Sequence, residues 1–154
     1  MLKKGFTFVE LMIVIVIIAV LAGMVTGNFF SSLKKGRDAR RKEDLAQIQR
    51  AIELYYEDKK VYPSSLTFNS SLTDSVSGKI YMQKLPNDPI STNAYRYDSD
   101  GSYYRLFACI ENTQDTGAGV SQSGFSNAGT VSCTGCTTCR YTITSTNISP
   151  LPTP

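Results

Sequence analysis

The sequence predicts an α+β protein in which one very long N-terminal helix packs, by its C-terminal half, on a small antiparallel sheet. Three patterns lead to this prediction. Residues 11–30 are apolar and carry no charge, residues 45–55 repeat apolar side chains at helical spacing, and residues 95–110 alternate like a hairpin around an Asp-Gly pair. Helix and sheet can then share one hydrophobic core.

The apolar run from Leu11 to Phe30 is predicted to be a transmembrane helix. A helix of about twenty residues extends about 30 Å, which matches the hydrocarbon core of a bilayer. The β-branched residues at 13–18 would suit a buried strand, but the length of the run and its lack of charge favour a helix. Gly23 and Gly27 suit either a bendable stretch of helix or a close helix-packing face.

The composition becomes polar from Ser31 onward. Six basic residues come first: Lys34, Lys35, Arg37, Arg40, Arg41 and Lys42. An apolar stripe at spacings of three and four then follows: Leu45, Ile48, Ile52 and Tyr55. This spacing predicts an amphipathic helix. Pro63 is expected to end it at Tyr62, since the residue before a proline is pushed out of helical geometry. A single helix over residues 6–62 would be about 85 Å long, too long to form the core of a small globule.

The second half of the chain predicts a small sheet. Residues 63–94 are expected to be a long loop with one short element at 80–85. Residues 98–101 form a turn signal, and the following strand, Tyr103 to Ile110, alternates in side-chain character. One set of its residues is assigned to the face on the helix: Tyr104, Leu106, Ala108 and Ile110. Cys109 is then expected on the opposite face.

The remaining segments predict one more strand and little else. Residues 112–130 are rich in Gly, Ser, Thr and Asn, which indicates a flexible loop. Residues 140–144 are expected to form a strand, and residues 148–154 an extended tail.

Composition excludes several functions. The chain has 154 residues, a formal charge of +3 and no histidine. The absence of His removes the commonest general base and the commonest transition-metal ligand. No nucleophile with a recognisable base and no phosphate-binding glycine loop is present, so we expect neither an enzyme nor a cofactor. Without Lys3 and Lys4 the chain has 14 basic against 13 acidic residues, and this balance does not suggest a nucleic-acid site.

The extreme N-terminus carries the most specific motif. Lys3 and Lys4 precede Gly5-Phe6, and Glu10 is the fifth residue counted from Phe6. This pattern resembles the leader of type IV pilins and of the pseudopilins of type II secretion systems. The resemblance implies cleavage after Gly5 by a prepilin peptidase, N-methylation of Phe6, and a role for Glu10 in assembly. An ordinary signal peptide would place its cleavage site after the apolar region, and a plain anchor does not need a glutamate there.

Two further segments extend the resemblance to this family. Val61-Tyr62-Pro63 is similar to the end of the family's long helix, and Leu85 to Pro89 is similar to the segment before its first strand. The implied organisation is a leader at 1–5, a transmembrane and assembly helix at 6–30, an amphipathic half at 31–62 and a globular head at 63–154. The basic segment is then either a solvated face near the membrane or a polar seam against acidic groups of neighbouring subunits.

The resemblance implies a structural function. The expected product is a type IV pilus-like filament for adhesion, motility or DNA uptake; the alternatives are a major pseudopilin of a secretion or competence system and, less favoured, a membrane-anchored binding module or enzyme. Expected partners are copies of the chain itself, the peptidase, membrane lipid and an assembly platform driven by a cytoplasmic ATPase. The expected location is the cytoplasmic membrane with the head outside, and a filament at or beyond the cell surface after assembly.

Four cysteines leave their chemistry open. Cys109 stands apart, and Cys133, Cys136 and Cys139 repeat at three-residue spacing. Disulfides are favoured for an exported domain, with Cys109 joined to one of the other three; a four-thiolate zinc site and free thiols are the alternatives. Three aspartates near the predicted hairpin are weak calcium candidates, for which turn capping is the simpler interpretation: Asp88, Asp98 and Asp100.

Overall fold

The computed structural model describes residues 5–125, 133–136 and 138–147, and for residues 25–28 it describes the backbone alone. The chain divides into two compact units, Met1–Lys34 and Lys35–Pro154. One helix, α1, runs from Phe8 to Lys59 and contributes residues to both units.

The first unit consists of the N-terminal part of α1 and the residues before it. The large apolar side chains that the structure describes in this unit are exposed, with 74% of Phe8, 54% of Leu11 and 58% of Ile18 accessible. Among the described residues no single helix qualifies as a membrane span by length and apolar content, whereas Phe8–Met24 and Phe29–Lys59 qualify when taken together as a broken pair.

The second unit combines the C-terminal part of α1 with two small antiparallel sheets. The first sheet pairs β1 (Leu72–Thr73) with β2 (Ile80–Met82). The second sheet has the order β3–β4–β5 and contains β3 (Arg96–Ser99), β4 (Tyr104–Ala108) and β5 (Tyr141–Thr144). The α+β prediction is therefore confirmed, as is the strand expected near residues 140–144.

The core lies between α1 and β4. Ile48 and Ile52 of the helix are fully buried, as are Tyr104 and Leu106 of the strand, and all belong to one apolar cluster. The predicted inward face of this strand is therefore correct. Cys109 lies in a second cluster with Phe107, as its opposite position in the alternation predicts.

The helix ends three residues earlier than the proline suggests. Lys60 adopts a positive φ of 58°, and its N–H donates to the carbonyl of Tyr56 at 2.7 Å. A left-handed residue directly after the last helical residue is a common helix end, because its N–H then satisfies a carbonyl of the last turn. Pro63 therefore follows the helix end and does not cause it.

The loop prediction for residues 63–94 missed a hairpin. The single element expected at 80–85 is β2, and it pairs with the short strand β1. The sequence of β1 has no alternating pattern long enough to predict a strand. The turn expected at 98–101 is shifted, since β3 extends to Ser99. Asp100 Oδ1 accepts hydrogen bonds from the N–H groups of Ser102 and Tyr103 in the turn that follows. Residues 126–130 of the predicted loop and 148–154 of the predicted tail lie outside the described residues.

Candidate functional site

Glu10 and Thr7 form a reciprocal cap at the start of α1. The N–H and hydroxyl groups of Thr7 donate to Glu10 Oε2 at 2.9 and 2.7 Å, and the N–H of Glu10 donates to Thr7 Oγ1 at 3.2 Å. In this capping box, each side chain satisfies a backbone donor that the helix leaves unpaired. Gly5 and Phe6 precede the helix, and 82% of Phe6 is exposed.

The basic segment contains a residue that sequence reasoning missed. Arg41 is fully buried, and its guanidinium binds three carboxylates. Two of its bonds are to Asp88, from Nε at 2.7 Å and from Nη2 at 3.0 Å, and Nη1 binds Asp38 at 2.8 Å and Glu111 at 2.7 Å. The solvated-face interpretation is therefore wrong for Arg41.

A second arginine extends this network. Arg37 binds Glu111 through two parallel hydrogen bonds of 2.8 and 2.6 Å. Asp38 accepts hydrogen bonds from the N–H groups of Glu111 and Asn112, so it fixes the chain directly after β4. The hydrogen bonds from Arg37, partly opposed by burial and reinforced by Arg41, lower the pKa of Glu111 to about 2.

The spacing of the helix could have revealed the burial of Arg41. This residue lies four positions before Leu45 and therefore continues the apolar stripe of α1 towards the N-terminus. A charge on the buried side of a helix requires partners of opposite charge. The identity of those partners could not have been inferred, because Asp88 and Glu111 are 47 and 70 residues away along the chain.

The cysteines are paired in two disulfides in this structure. Cys109 is joined to Cys136, and Cys133 is joined to Cys139. Disulfide sulfurs do not offer the thiolates that a structural zinc site requires. The Cys109–Cys136 bond connects the end of β4 to the segment that contains Cys133, Cys136 and Cys139, the cysteine-rich segment, whereas the other disulfide closes a loop within that segment.

The weak calcium candidates are engaged elsewhere. Asp88 binds Arg41, Asp98 lies 3.8 Å from Arg105, and Asp100 caps its turn. Among the described residues, the one group of at least three potential metal-binding side chains consists of Cys109, Cys133 and Cys136, which are all in disulfides. The aspartates therefore serve as ion-pair and turn-capping groups in this structure.

Helix α1 carries Glu10 in its first turn, and its C-terminal part packs on a small antiparallel sheet. This arrangement defines a pilin-like protein. Comparison with known families supports this class. Residues 1–26 match the prokaryotic N-terminal methylation motif, and residues 28–123 match type II secretion system (T2SS), protein G. The chain belongs to the type II secretion system protein G family.

Individual relatives carry the same name. The chain is 30% identical over 107 residues to type II secretion system core protein G of Vibrio cholerae serotype O1. This alignment covers 64% of the chain and 73% of the relative. It is also 30% identical over 109 residues to the protein of that name from Pseudomonas aeruginosa, covering 65% and 76%. No solved structure matches the chain. The family match ends at residue 123, before the three clustered cysteines.

Proposed function

We propose that this protein is a structural subunit of a type II secretion pseudopilus, and that it polymerises after cleavage between Gly5 and Phe6 and methylation of Phe6. The observation that carries the proposal is the first unit: an exposed apolar helix whose first turn contains a single carboxylate, Glu10. The family membership favours the secretion alternative, and nothing in the comparisons supports adhesion, motility or DNA uptake.

The physical role of the apolar helix follows from its exposure. Burying an apolar side chain of this size contributes about 1.5–3 kcal/mol, so a helix of exposed Phe, Ile, Leu and Val requires lipid or other helices around it. Before assembly, lipid surrounds this helix, and the subunit lies in the cytoplasmic membrane with its head outside. Copies of the same helix replace the lipid in the filament.

Glu10 sets the register of assembly in this proposal. A carboxylate in an apolar filament core is costly unless a positive group neutralises it. The methylated amino group of Phe6 on an adjacent subunit supplies that charge. In the isolated chain, the backbone N–H and the hydroxyl group of Thr7 both donate hydrogen bonds to one oxygen of the Glu10 carboxylate, Oε2.

The partners are those of a secretion filament. Prepilin peptidase removes residues 1–5, copies of the chain form the polymer, and a membrane assembly platform driven by a cytoplasmic ATPase extracts subunits from the bilayer. The domain boundaries proposed for this cycle are a leader at 1–5, an assembly helix at 6–30, an amphipathic half at 31–62 and a head at 63–154.

The decisive experiment is intact-mass and N-terminal peptide analysis of protein sheared from producing cells. We expect a chain that begins at Phe6 with one added methyl group and that is recovered in filaments. A chain that still begins at Met1, found as a monomer in membranes, would refute the proposal and favour a membrane-anchored binding module. Loss of secreted proteins on deletion of the gene would separate a secretion pseudopilus from a surface pilus.

A further inference from the structure

The two disulfides lie close enough together to react with each other. The sulfur atoms of Cys109, Cys133 and Cys136 all lie within 4.8 Å of one another, although they belong to two different disulfides. A disulfide is cleaved when a thiolate attacks one of its sulfurs. A thiolate released from one of these bonds therefore has a sulfur of the other bond within a short distance.

The four cysteines, which together form the cysteine cluster, differ in their access to solvent. Cys109, Cys133 and Cys139 are at most 3% exposed, whereas Cys136 is only partly buried. Access is one of the factors that decide which sulfur of a disulfide is attacked. Cys136 is therefore the sulfur that a thiolate from outside the protein reaches first.

A tight turn holds Cys133 and Cys136 beside Cys109. The N–H of Cys136 donates to the carbonyl of Cys133 at 3.4 Å. Cys109 Sγ lies 3.9 Å from the carbonyl oxygen of Thr134 in this turn, and the same oxygen accepts a hydrogen bond from the N–H of Ala94 at 3.2 Å. The bond from Ala94 involves no sulfur, so it does not depend on which cysteine is joined to Cys109.

We propose that the cysteine cluster is a thiol–disulfide exchange site, in which a small external thiolate attacks Cys136 and the two disulfides then exchange partners. The product pairs Cys109 with Cys133, and Cys136 with Cys139. Three of the four cysteines lie beyond residue 123, where the match to the protein G family ends. This chemistry therefore belongs to a part of the chain that the family match does not cover.

The exchange takes three steps, and in each step one sulfur–sulfur bond forms while another breaks. The external thiolate bonds to Cys136 Sγ, and the electron pair of the broken bond leaves on the sulfur of Cys109. The Cys109 thiolate bonds to Cys133 Sγ, which is within 4.8 Å, and releases the Cys139 thiolate. The Cys139 thiolate bonds to Cys136 Sγ and releases the external thiolate unchanged.

The apolar surroundings of the cluster favour the second step. Phe107 and Phe125 belong to the same buried cluster as Cys109, Cys133 and Cys139. A thiolate among such side chains is poorly solvated, so its charge is costly until its sulfur forms a new bond. The bonded sulfur that it attacks is Cys133 Sγ, because Cys139 does not belong to the group of sulfurs within 4.8 Å.

The spacing along the chain suits the product. Cys136 and Cys139 form a Cys-x-x-Cys pair, the spacing at which thiol–disulfide oxidoreductases form their reactive disulfide. The third possible pairing joins Cys109 to Cys139, and it requires a bond to the sulfur outside the group within 4.8 Å. We therefore expect one new pairing and not two.

Disulfide mapping of the full oxidised chain tests the exchange. The chain is incubated with glutathione in detergent without denaturant, quenched with acid and digested with trypsin, which leaves all four cysteines in the peptide of residues 106–140. Fragmentation of this peptide in a mass spectrometer identifies the pairings. We expect Cys109–Cys133 with Cys136–Cys139 to appear beside the original pairing. Persistence of the original pairing alone, or appearance of Cys109–Cys139, would overturn the exchange.

The site of attack is tested by trapping the mixed disulfide. Rapid quenching with acid during the reaction preserves the bond between glutathione and the protein, and mass spectrometry locates it. We expect the adduct on Cys136. An adduct found mainly on Cys109, Cys133 or Cys139 would contradict the assignment of Cys136 as the point of entry.

Two double variants provide matched controls for access. Cys133→Ser with Cys139→Ser leaves only the partly exposed disulfide, whereas Cys109→Ser with Cys136→Ser leaves only the buried one. We expect glutathione to form an adduct with the first variant at least about tenfold faster than with the second, because only Cys136 is accessible. Equal rates in two folded variants would refute the role of access. The mapping of the unmodified chain decides the exchange even where a double variant does not fold.

Discussion

At the scale of single residues, Arg41 determines how the helix meets the loops of the head. Taking a guanidinium out of water costs several kcal/mol, and the cost is offset only where carboxylates complete its hydrogen bonds. Asp88 and Glu111 do this from two loops that are distant in sequence, and Asp38 does it from the preceding turn of the helix. One side chain therefore holds the helix, the segment before β3 and the chain after β4 in one arrangement.

Replacing Arg41 by leucine should destabilise the head strongly. The change places an apolar side chain of moderate size on the buried face of the helix. It leaves Asp38 and Asp88 buried without a positive partner. Breaking a buried ion pair from one side costs about 3–5 kcal/mol. Urea unfolding followed by circular dichroism measures the loss.

Arg40→Leu is the matched control, since Arg40 is adjacent, exposed and without an ion-pair partner among the described residues. We expect its free energy of unfolding to change by less than about 0.5 kcal/mol. Similar losses from both substitutions would mean that the network does not stabilise the fold.

Glu111 should make the stability of the folded protein decrease at acid pH. Its pKa is about 2 in the folded protein against an ordinary value of 4.5, mainly because Arg37 donates two hydrogen bonds to the carboxylate. A lowered pKa stabilises the fold above the unfolded value, and this contribution disappears as the pH falls from about 4.5 to about 2. We expect the free energy of unfolding to decrease across this window.

The variant Glu111→Gln isolates this contribution. It should be less stable than the parent at pH 7, by at most about 3 kcal/mol, and its stability should fall less steeply below pH 4.5. Urea titrations at several pH values provide the measurement. An unchanged slope would assign the acid sensitivity to other carboxylates, such as Asp74, whose pKa is also lowered by its hydrogen bond from Lys59.

At the scale of elements, the cysteine-rich segment is held to the head by both covalent and backbone contacts. Cys109–Cys136 spans 27 residues, and the chain-entropy model assigns such a loop about 3.5 kcal/mol. Cys133–Cys139 spans only 6 residues and is assigned about 2 kcal/mol. The N–H of Ala94 donates to the carbonyl of Thr134 at 3.2 Å, which places the segment against the chain before β3.

Gly135 is the tightest point of this contact. Its φ is +90°, and a Cβ atom there would lie 1.8 Å from Asn93 Oδ1 and 2.8 Å from the Asn93 Cα. Gly135→Ala should therefore cost about 1–2 kcal/mol for the backbone conformation and about 1–3 kcal/mol more for the forced shift of Asn93. Thermal unfolding of the oxidised protein is the measurement.

Gly101 supplies the control for this substitution. Its φ is +92°, nearly the same, but a Cβ atom there would meet nothing within 4 Å. Gly101→Ala should show the backbone cost alone. If the two alanine variants lose equal stability, the segment does not press on Asn93 as the structure shows.

The elements also show what the sequence could predict. The helical stripe and the alternation of β4 are local patterns, so the core face of Ile48 and Tyr104 followed from spacing. The hairpin of β1 and β2 was missed because its strands of two and three residues are too short for a period. The partners of Arg41 were missed because ion pairing between loops depends on tertiary packing.

The N-terminal motif was predictable for a different reason. The motif that matches residues 1–26 lies within one short stretch of chain, and the residues proposed for cleavage and assembly, Gly5, Phe6 and Glu10, fall within six positions of it, so a one-dimensional pattern contains the information. The disulfide connectivity is the opposite case. Four cysteines allow three pairings, and only the packing of Phe107 and Cys109 against Cys133 and Cys139 distinguishes among them.

At the scale of the whole molecule, the two units have separate requirements. Among the residues that the structure describes, the buried core and all the ion pairs discussed above lie in the second unit. The large apolar side chains described in the first unit are exposed. We expect a fragment of residues 35–154 to fold as a soluble monomer with both disulfides and one cooperative unfolding transition. Analytical ultracentrifugation and calorimetry measure these properties. An aggregated or non-cooperative fragment would show that the second unit depends on the residues before Lys35.

Glu10 caps the start of α1 together with Thr7, and the proposed function gives its charge a second role in polymerisation; the two contributions can be separated. Glu10→Ala removes both the cap of Thr7 and the charge, whereas Glu10→Gln keeps an oxygen that accepts the hydrogen bonds of Thr7. Loss of a helix cap costs only about 1 kcal/mol, and so both variants should enter the membrane and be cleaved after Gly5. Neither should polymerise if the charge sets the register, because the amino group of Phe6 in the filament core then has no counter-charge. Electron microscopy of sheared material, with mass analysis of the membrane fraction, measures both steps. Filaments from Glu10→Gln but not from Glu10→Ala would assign the role to hydrogen bonding, and normal filaments from both would remove Glu10 from the assembly mechanism.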